Sequence, residues 1–104
     1  MNPVLILSYN GLPDLQRCVD SVRMQDVPTY IVVLDNGSTD GSREWLAPQH
    51  ENGLFCIQLY ENAGVSAGWN HGLRLTLDNH EWHHVLVLNQ DTVLPTYFYR
   101  ELLS

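Results

Sequence analysis

Between Val32 and Ser42, V-V-L-D-N-G-S-T-D-G-S, a wholly apolar run breaks abruptly into a carboxylate, an amide and a turn. Val32, Val33 and Leu34 leave no polar face, which is what a strand covered on both sides requires. Gly37 and Gly41 then admit backbone conformations that a side chain resists. Such a strand belongs inside an α/β layered domain, where parallel sheets carry helices on their faces. Asp35 and Asn36 fall at its carboxyl end, the edge on which open α/β sheets bind ligands.

The rest of the chain repeats this grammar. Val4 to Leu7 reads as a first strand ended by Ser8, Tyr9, Asn10 and Gly11. Pro13 and Asp14 suit the first turn of a helix in which Leu12, Leu15, Val19 and Val22 share a face. Met24 to Pro28 is its exit loop. Tyr30 to Leu34 is the second strand, Asp40 to Leu46 a short helix capped by Ser38 or Asp40, Pro48 to Gly53 a loop, and Leu54 to Leu59 the third strand. The glycine-rich segment Asn62 to Gly72 leads into a helix with Val65, Trp69, Leu73 and Leu77 on one face, ending near Asp78, Asn79 and His80. Val85 to Leu88 is the fourth strand, and Pro95 opens a last helix. Strand and helix alternate throughout, so the expected fold is α/β: a Rossmann-like parallel sheet of about four strands with right-handed crossovers and helices on both faces. At 104 residues the chain makes one domain.

Charge narrows the partners. Twelve Asp and Glu against five Lys and Arg give a formal net charge of -7, which repels nucleic acid and anionic membrane. A phosphate-bearing ligand would need a metal ion, helix N-termini or turn amides to meet its charge. Cys18 and Cys56 lack metal-site spacing and read as buried thiols, which fits a reducing cytoplasm. No apolar run reaches the roughly 20 residues of a membrane span, and residues 1–7 lack the pattern of a signal peptide. His80, His83 and His84 lie at a helix exit, away from the strand ends, where His80 suits the helix dipole better than a metal.

Under this reading Ser8 to Asn10, Asp35 to Ser38 and Asn89 to Asp91 converge on one sheet edge. Turn formation alone accounts for any one cluster. Asp91, just past an apolar run, is well placed to bind Mg²⁺ or Mn²⁺, which take one or two protein carboxylates and complete their shell with water and substrate phosphate. The ring of Tyr9 is suited either to cover a flat base or to pack ordinarily. The glycine-rich segment is not G-x-G-x-x-G and follows the third strand, so it is no dinucleotide fingerprint.

Together, S-Y-N at 8 to 10, L-D-N-G-S-T-D-G-S at 34 to 42, E-N-A-G-V-S-A-G-W-N-H-G at 61 to 72 and L-N-Q-D-T at 88 to 92 resemble the inverting family 2 glycosyltransferases of the GT-A fold. The nearest subgroup is similar to the rhamnosyltransferase-type enzymes of bacterial cell-surface polysaccharide assembly. The resemblance implies a donor site for a nucleoside-diphosphate sugar, with Ser8, Tyr9, Asn10, Asp35, Asn36, Gly64, Asn70, Asn89 and Gln90 binding the nucleotide and Asp91 the Mg²⁺ or Mn²⁺. Asn89, Gln90 and Asp91 stand in for the family's D-x-D, with Asn for the first Asp. Asn36 replaces a frequent Asp, and because an amide both accepts and donates, a UDP-linked and a dTDP-linked donor both stay open. Trp69 stands where many relatives carry a cation, which shifts the leaving-group charge onto metal and turn amides.

The implied reaction is a single displacement onto an acceptor hydroxyl of a saccharide or a lipid-linked saccharide. Its catalytic base is expected beyond Ser104, which makes this chain the donor-binding part. Such a sheet is also expected to expose an edge through which copies self-associate. The competing reading is a non-catalytic interaction module that keeps the fold. A nucleotidyltransferase fits poorly, since Ser8 to Asp14 holds no Lys or Arg.

Overall fold

The computed structural model describes residues 2–62, 64, 70, 74 and 84–104. The elements are β1 (Asn2–Ser8), α1 (Leu12–Arg23), β2 (Thr29–Asn36), α2 (Ser42–Leu46), a 3₁₀ helix (Ala47–Asn52), β3 (Leu54–Leu59), β4 (Leu86–Asn89) and α3 (Phe98–Leu103). Their strands form one sheet in the order β3-β2-β1-β4, and every pairing is parallel. The expected Rossmann-like α/β arrangement is therefore present. Asn70 and Arg74 are helical and exposed. The expected helical face of Val65, Trp69, Leu73 and Leu77 lies outside the described residues, as do Gly68, Gly72, His80, Trp82 and His83.

Strand alternation sorts the apolar residues into two layers. Val4 and Ile6 of β1, Ile31 and Val33 of β2, Leu54 of β3 and Leu88 of β4 point to one face, where they pack with Leu15, Cys18, Val19 and Val22 of α1, Leu46 of α2 and Tyr99 of α3. Leu5, Leu7, Val32, Leu34 and Ile57 form a second cluster on the opposite face. Each fully buried Leu, Ile or Val contributes about 1.5–3 kcal/mol, so this two-sided burial of β1 and β2 is what orders the sheet.

Several boundaries differ from the sequence reading, each for a local reason. β2 runs on through Asp35 and Asn36 because both flanks still offer partners: Ser8 and Gln58 stand beside Asp35, and Leu59 beside Asn36. α2 begins at Ser42 rather than Asp40, since Gly41 takes a left-handed φ of 101°. Residues 47–52 are a 3₁₀ helix rather than a loop, with Pro48 in its first turn. Pro95 does not open the last helix; its carbonyl accepts Phe98 N–H at 3.1 Å in a turn before α3.

A few polar groups fix these layers in register. The Asp40 carboxylate accepts the N–H of Leu12 at 3.0 Å and that of Ser42 at 3.1 Å, so one side chain serves the starts of both α1 and α2. Its hydrogen bonds, foremost from Ser42 Oγ, hold it below the ordinary carboxylate range. After β4 the chain is pinned under α1, where Leu94 N–H reaches Ser21 Oγ at 3.1 Å and Gln25 bonds both Pro95 O (2.8 Å) and Tyr99 N–H (2.9 Å). The hydroxyl of buried Tyr99 donates to Pro3 O at 2.9 Å. Proline is tolerated in this central strand because β4 pairs with β1 only from Val4 onward.

Two predictions follow from the packing. A Cβ at Gly37, whose φ is +84°, would lie 2.6 Å from the Glu61 carbonyl carbon and 2.8 Å from Asn62 N. Gly37→Ala therefore combines left-handed strain with a backbone clash and should cost about 2–4 kcal/mol in urea unfolding. Burial pushes the Cys18 and Cys56 thiols up from 9.0 to about 11 and the Tyr99 phenol up from 10.0 to about 12. The unfolded chain releases these protons first, so stability is complete below pH 9 and falls as pH rises through 11. Tyr99→Phe should flatten the later part of that fall, from 10.0 toward 12, in urea midpoints measured across the range.

Candidate functional site at the carboxyl ends of the strands

The parity that builds the core also divides the polar residues at the strand ends. Ser8 and Asp35 point to the α1 and α2 side and are fully buried; Asn36 ends β2 on the other side. Adjacent positions that look equivalent in sequence thus enter different environments.

Asp35 is engaged entirely within the protein. One carboxylate oxygen accepts Ser38 N–H at 3.3 Å and the Ser38 hydroxyl, and the other accepts Gln58 Nε2 at 2.8 Å. Ser38 Oγ in turn accepts Asn10 N–H at 2.8 Å, and Asn10 Oδ1 accepts Thr39 N–H at 2.8 Å. Asn10 holds a left-handed φ of 52°, a conformation that Asn accepts more readily than most residues. From Asn10 the network crosses to β4: Gln90 Oε1 accepts Tyr9 N–H at 2.6 Å, and Gln90 Nε2 donates to Asn10 O. Ser8 Oγ, buried beside this network, has no hydrogen-bond partner among the described residues.

On the opposite side of the strand ends lies a cavity of about 270 Å³ lined by Leu7, Tyr9, Asn36, Asn62, Asn89, Gln90 and Asp91. It opens between β1 and β4, where the strand order reverses direction, the place at which ligands enter open α/β sheets. A larger hollow of about 560 Å³, lined by Arg23, Asp26 and Tyr30 among others, lies at the opposite end of the sheet and gathers none of the motif residues. Position at the switch point, not volume, makes the smaller cavity the candidate site.

Of the residues expected from sequence, Tyr9, Asn36, Asn89, Gln90 and Asp91 meet in this cavity. Ser8 and Asp35 do not; they lie beneath it, where Asp35 braces the loop. Asn36 Nδ2 donates to Gly64 O at 3.2 Å, and Gly64 N–H donates to Asn62 Oδ1 at 2.7 Å, which ties the glycine-rich segment to the end of β2. Asn70 is exposed. Two further residues contribute: Asn62 lines the cavity, and Gln58 holds Asp35 beneath it. Gln58 had a signal, because it interrupts an otherwise apolar strand on a face that is buried.

Among the described residues no group of three or more His, Cys, Asp and Glu side chains stands ready to hold a metal ion. Asp91 is an exposed single carboxylate beside the amides of Asn89 and Gln90. That oxygen donor set fits Mg²⁺ or Mn²⁺ only jointly with a ligand's phosphate oxygens. The negative charge of Asp91 also adds to the burial that raises the Cys18 thiol beneath it.

A parallel sheet with a polar cavity at its switch point defines an α/β domain of Rossmann-like type, and comparison with known proteins places it. Residues 4–104 match the family model described as glycosyl transferase family 2, and the chain belongs to that family. It is 32% identical over 101 residues to the low-salt glycan biosynthesis hexosyltransferase Agl10 of Haloferax volcanii, covering 97% of this chain and 31% of that protein. The fold superimposes on S. aureus TarS with a TM-score of 0.79 at 22% identity, over 99% of this chain and 19% of that one. A shorter TarS, residues 1–349, has been solved with UDP-GlcNAc. The mannosyltransferase PcManGT from Pyrobaculum calidifontis, solved with GDP-Man and Mn²⁺, matches with a TM-score of 0.66 at 26% identity, over 89% of this chain and 28% of that one. The chain thus spans less than a third of each of these relatives.

The Asp35 network makes a direct prediction. In Asp35→Asn one oxygen still accepts from Ser38, but the new amide opposes Gln58 Nε2, which also donates to Leu59 O at 2.7 Å. Stability should drop by about 1–3 kcal/mol in urea unfolding, the usual penalty for a buried donor left unpaired, and Gln58→Leu in the same background should recover part of it.

Proposed function

We propose that this chain is the donor-binding part of an inverting glycosyltransferase that takes its sugar from a nucleoside diphosphate. The observation that carries the reading is the convergence of Tyr9, Asn36, Asn89, Gln90 and Asp91 on one cavity at the sheet's switch point. The family membership and the UDP-GlcNAc and GDP-Man complexes of relatives support it.

In this reading the half-exposed Tyr9 ring borders the base. Asn36 and Asn62 offer amides to base or ribose, while Gly64, Asn70 and Asn89 complete the nucleotide contacts along the diphosphate. Asn10, Asp35 and Gln90 hold the frame through their hydrogen bonds, with Ser8 buried beneath it. Asp91 is the protein ligand to Mg²⁺ or Mn²⁺, which when bound supplies positive charge for the departing diphosphate. An acceptor hydroxyl of a saccharide or lipid-linked saccharide attacks the anomeric carbon from the side opposite the diphosphate. The new C–O bond forms as the bond to the diphosphate breaks, and the hydroxyl proton passes to a carboxylate base in the part of such enzymes that this chain does not span. The chain alone then binds donor without turning it over.

The reading places the enzyme in cell-surface polysaccharide assembly on the cytoplasmic side of a membrane. Two free thiols suit a reducing compartment, and among the described residues no helix is long and apolar enough to cross a bilayer.

Thermal unfolding with UDP, dTDP and GDP, each with and without Mn²⁺, tests the proposal. At about 100-fold excess over Kd the matching nucleotide should add about 2.7 kcal/mol, roughly 10 °C or more in Tm for a domain of this size. Asp91→Ala should abolish the Mn²⁺-dependent part and leave the rest. A Tm unmoved by all three nucleotides would rule out donor binding by this chain.

A further inference from the structure

The middle residue of the Asn89-Gln90-Asp91 turn spends its side chain on backbone. Gln90 Oε1 accepts the N–H of Tyr9 at 2.6 Å, and Gln90 Nε2 donates to the carbonyl of the next residue, Asn10. The last backbone pair between β1 and β4 is Leu7 with Asn89, so the Gln90 amide extends that ladder after the two backbones have parted. It joins positions 81 residues apart in sequence.

This pairing is chemically selective. The side chain must present an acceptor to one peptide group and a donor to its neighbour, which a carboxylate or a hydrocarbon cannot do. Asn carries the same groups on a stem one methylene shorter. The segment it grips needs holding, because Asn10 is left-handed and Gly11 follows with φ 75°. A Cβ at Gly11 would run into Gln90 Nε2, so the backbone opposite the clamp is also cut to fit it.

We propose that Gln90 is a positioning residue for the nucleoside, clamping the Tyr9 and Asn10 backbone to the turn that bears Asp91 so that the base-bordering wall and the metal-binding carboxylate move as one unit. The idea rests on the donor-binding reading above, with one arm of its test independent of it. Gln90 acts through Tyr9, and its loss is felt at the base even when no metal is present. Asp91, by contrast, acts only through the metal and diphosphate.

The test uses the intact chain with UDP as probe, titrated calorimetrically in EDTA and in Mn²⁺, for wild type, Gln90→Met, Tyr9→Ala and the double variant. Gln90→Met should weaken UDP about ten-fold in both buffers, equivalent to about 1.4 kcal/mol, and should cost little more once Tyr9 is already Ala. Gly11→Ala, which displaces the Gln90 amide from outside the cavity, should reproduce the metal-independent loss. Amide hydrogen exchange in the ligand-free protein supplies the separate arm: the Tyr9 N–H should exchange about ten-fold faster in Gln90→Met while the amides of β1 keep their protection. Equal losses in the wild-type and Tyr9→Ala backgrounds would mean that Gln90 touches the ligand itself and would overturn the proposal. Unchanged Tyr9 exchange would overturn it as well. If wild type binds no UDP, the uridine form of the donor reading falls, while the exchange measurement still decides whether the clamp exists.

Discussion

A chain of hydrogen bonds running across the strand ends is the constraint on which the site depends. It passes from Gln58 on β3 to Asp35 on β2, through Ser38 to Asn10 after β1, and on to Gln90 after β4, in the same order as the strands of the sheet. Backbone pairing stops where parallel strands diverge, and beyond that line side chains take over. Asp35 is the hub because a carboxylate accepts several bonds at once and loses least on burial when all are made. It sits buried under the floor of the cavity, while the Asp91 carboxylate stands exposed at the lining.

Legibility in the sequence followed the physics of each residue. Val32 to Leu34 read as a doubly covered strand because the run is short, rich in β-branched residues and closed by turn residues, and the sheet bears that out. The α1 face of Leu12, Leu15, Val19 and Val22 was legible from its period; the last three join the core, while Leu12 at the helix start stays partly exposed outside it. The end of β2 was not, because composition reports where the apolar run stops, whereas the ladder stops where neighbouring backbones do. Ser8 and Asp35 adjoin Tyr9 and Asn36 in sequence, but contiguity does not mean a shared environment, because alternation turns them to opposite faces. Asn62 was invisible as a site residue: its place depends on the close approach of Gly37 to the backbone at 61–62, a contact that no local pattern records.

The acidity of the chain also acquires a meaning. Among the described arginines, Arg17 pairs with Asp14, and Arg100 with Asp26 while lying over the Tyr97 ring. Arg43 lies over the Tyr60 ring, beside a different hollow. None of these three lines the cavity at the strand ends, whose polar side chains among the described residues are four amides, the Tyr9 phenol and one carboxylate. A lining of that composition brings negative and neutral groups but no positive one to the strand ends.

The clamp between Gln90 and Tyr9 joins residues separated by nearly the whole chain, and β4 is a four-residue edge strand with little pairing of its own. β1, β2 and β3 can assemble earlier, with loop closures that are short by comparison. The cavity has no second wall until β4 docks. Folding and the completion of the cavity thus finish in the same event, and a growing chain still short of β4 carries only half of its lining.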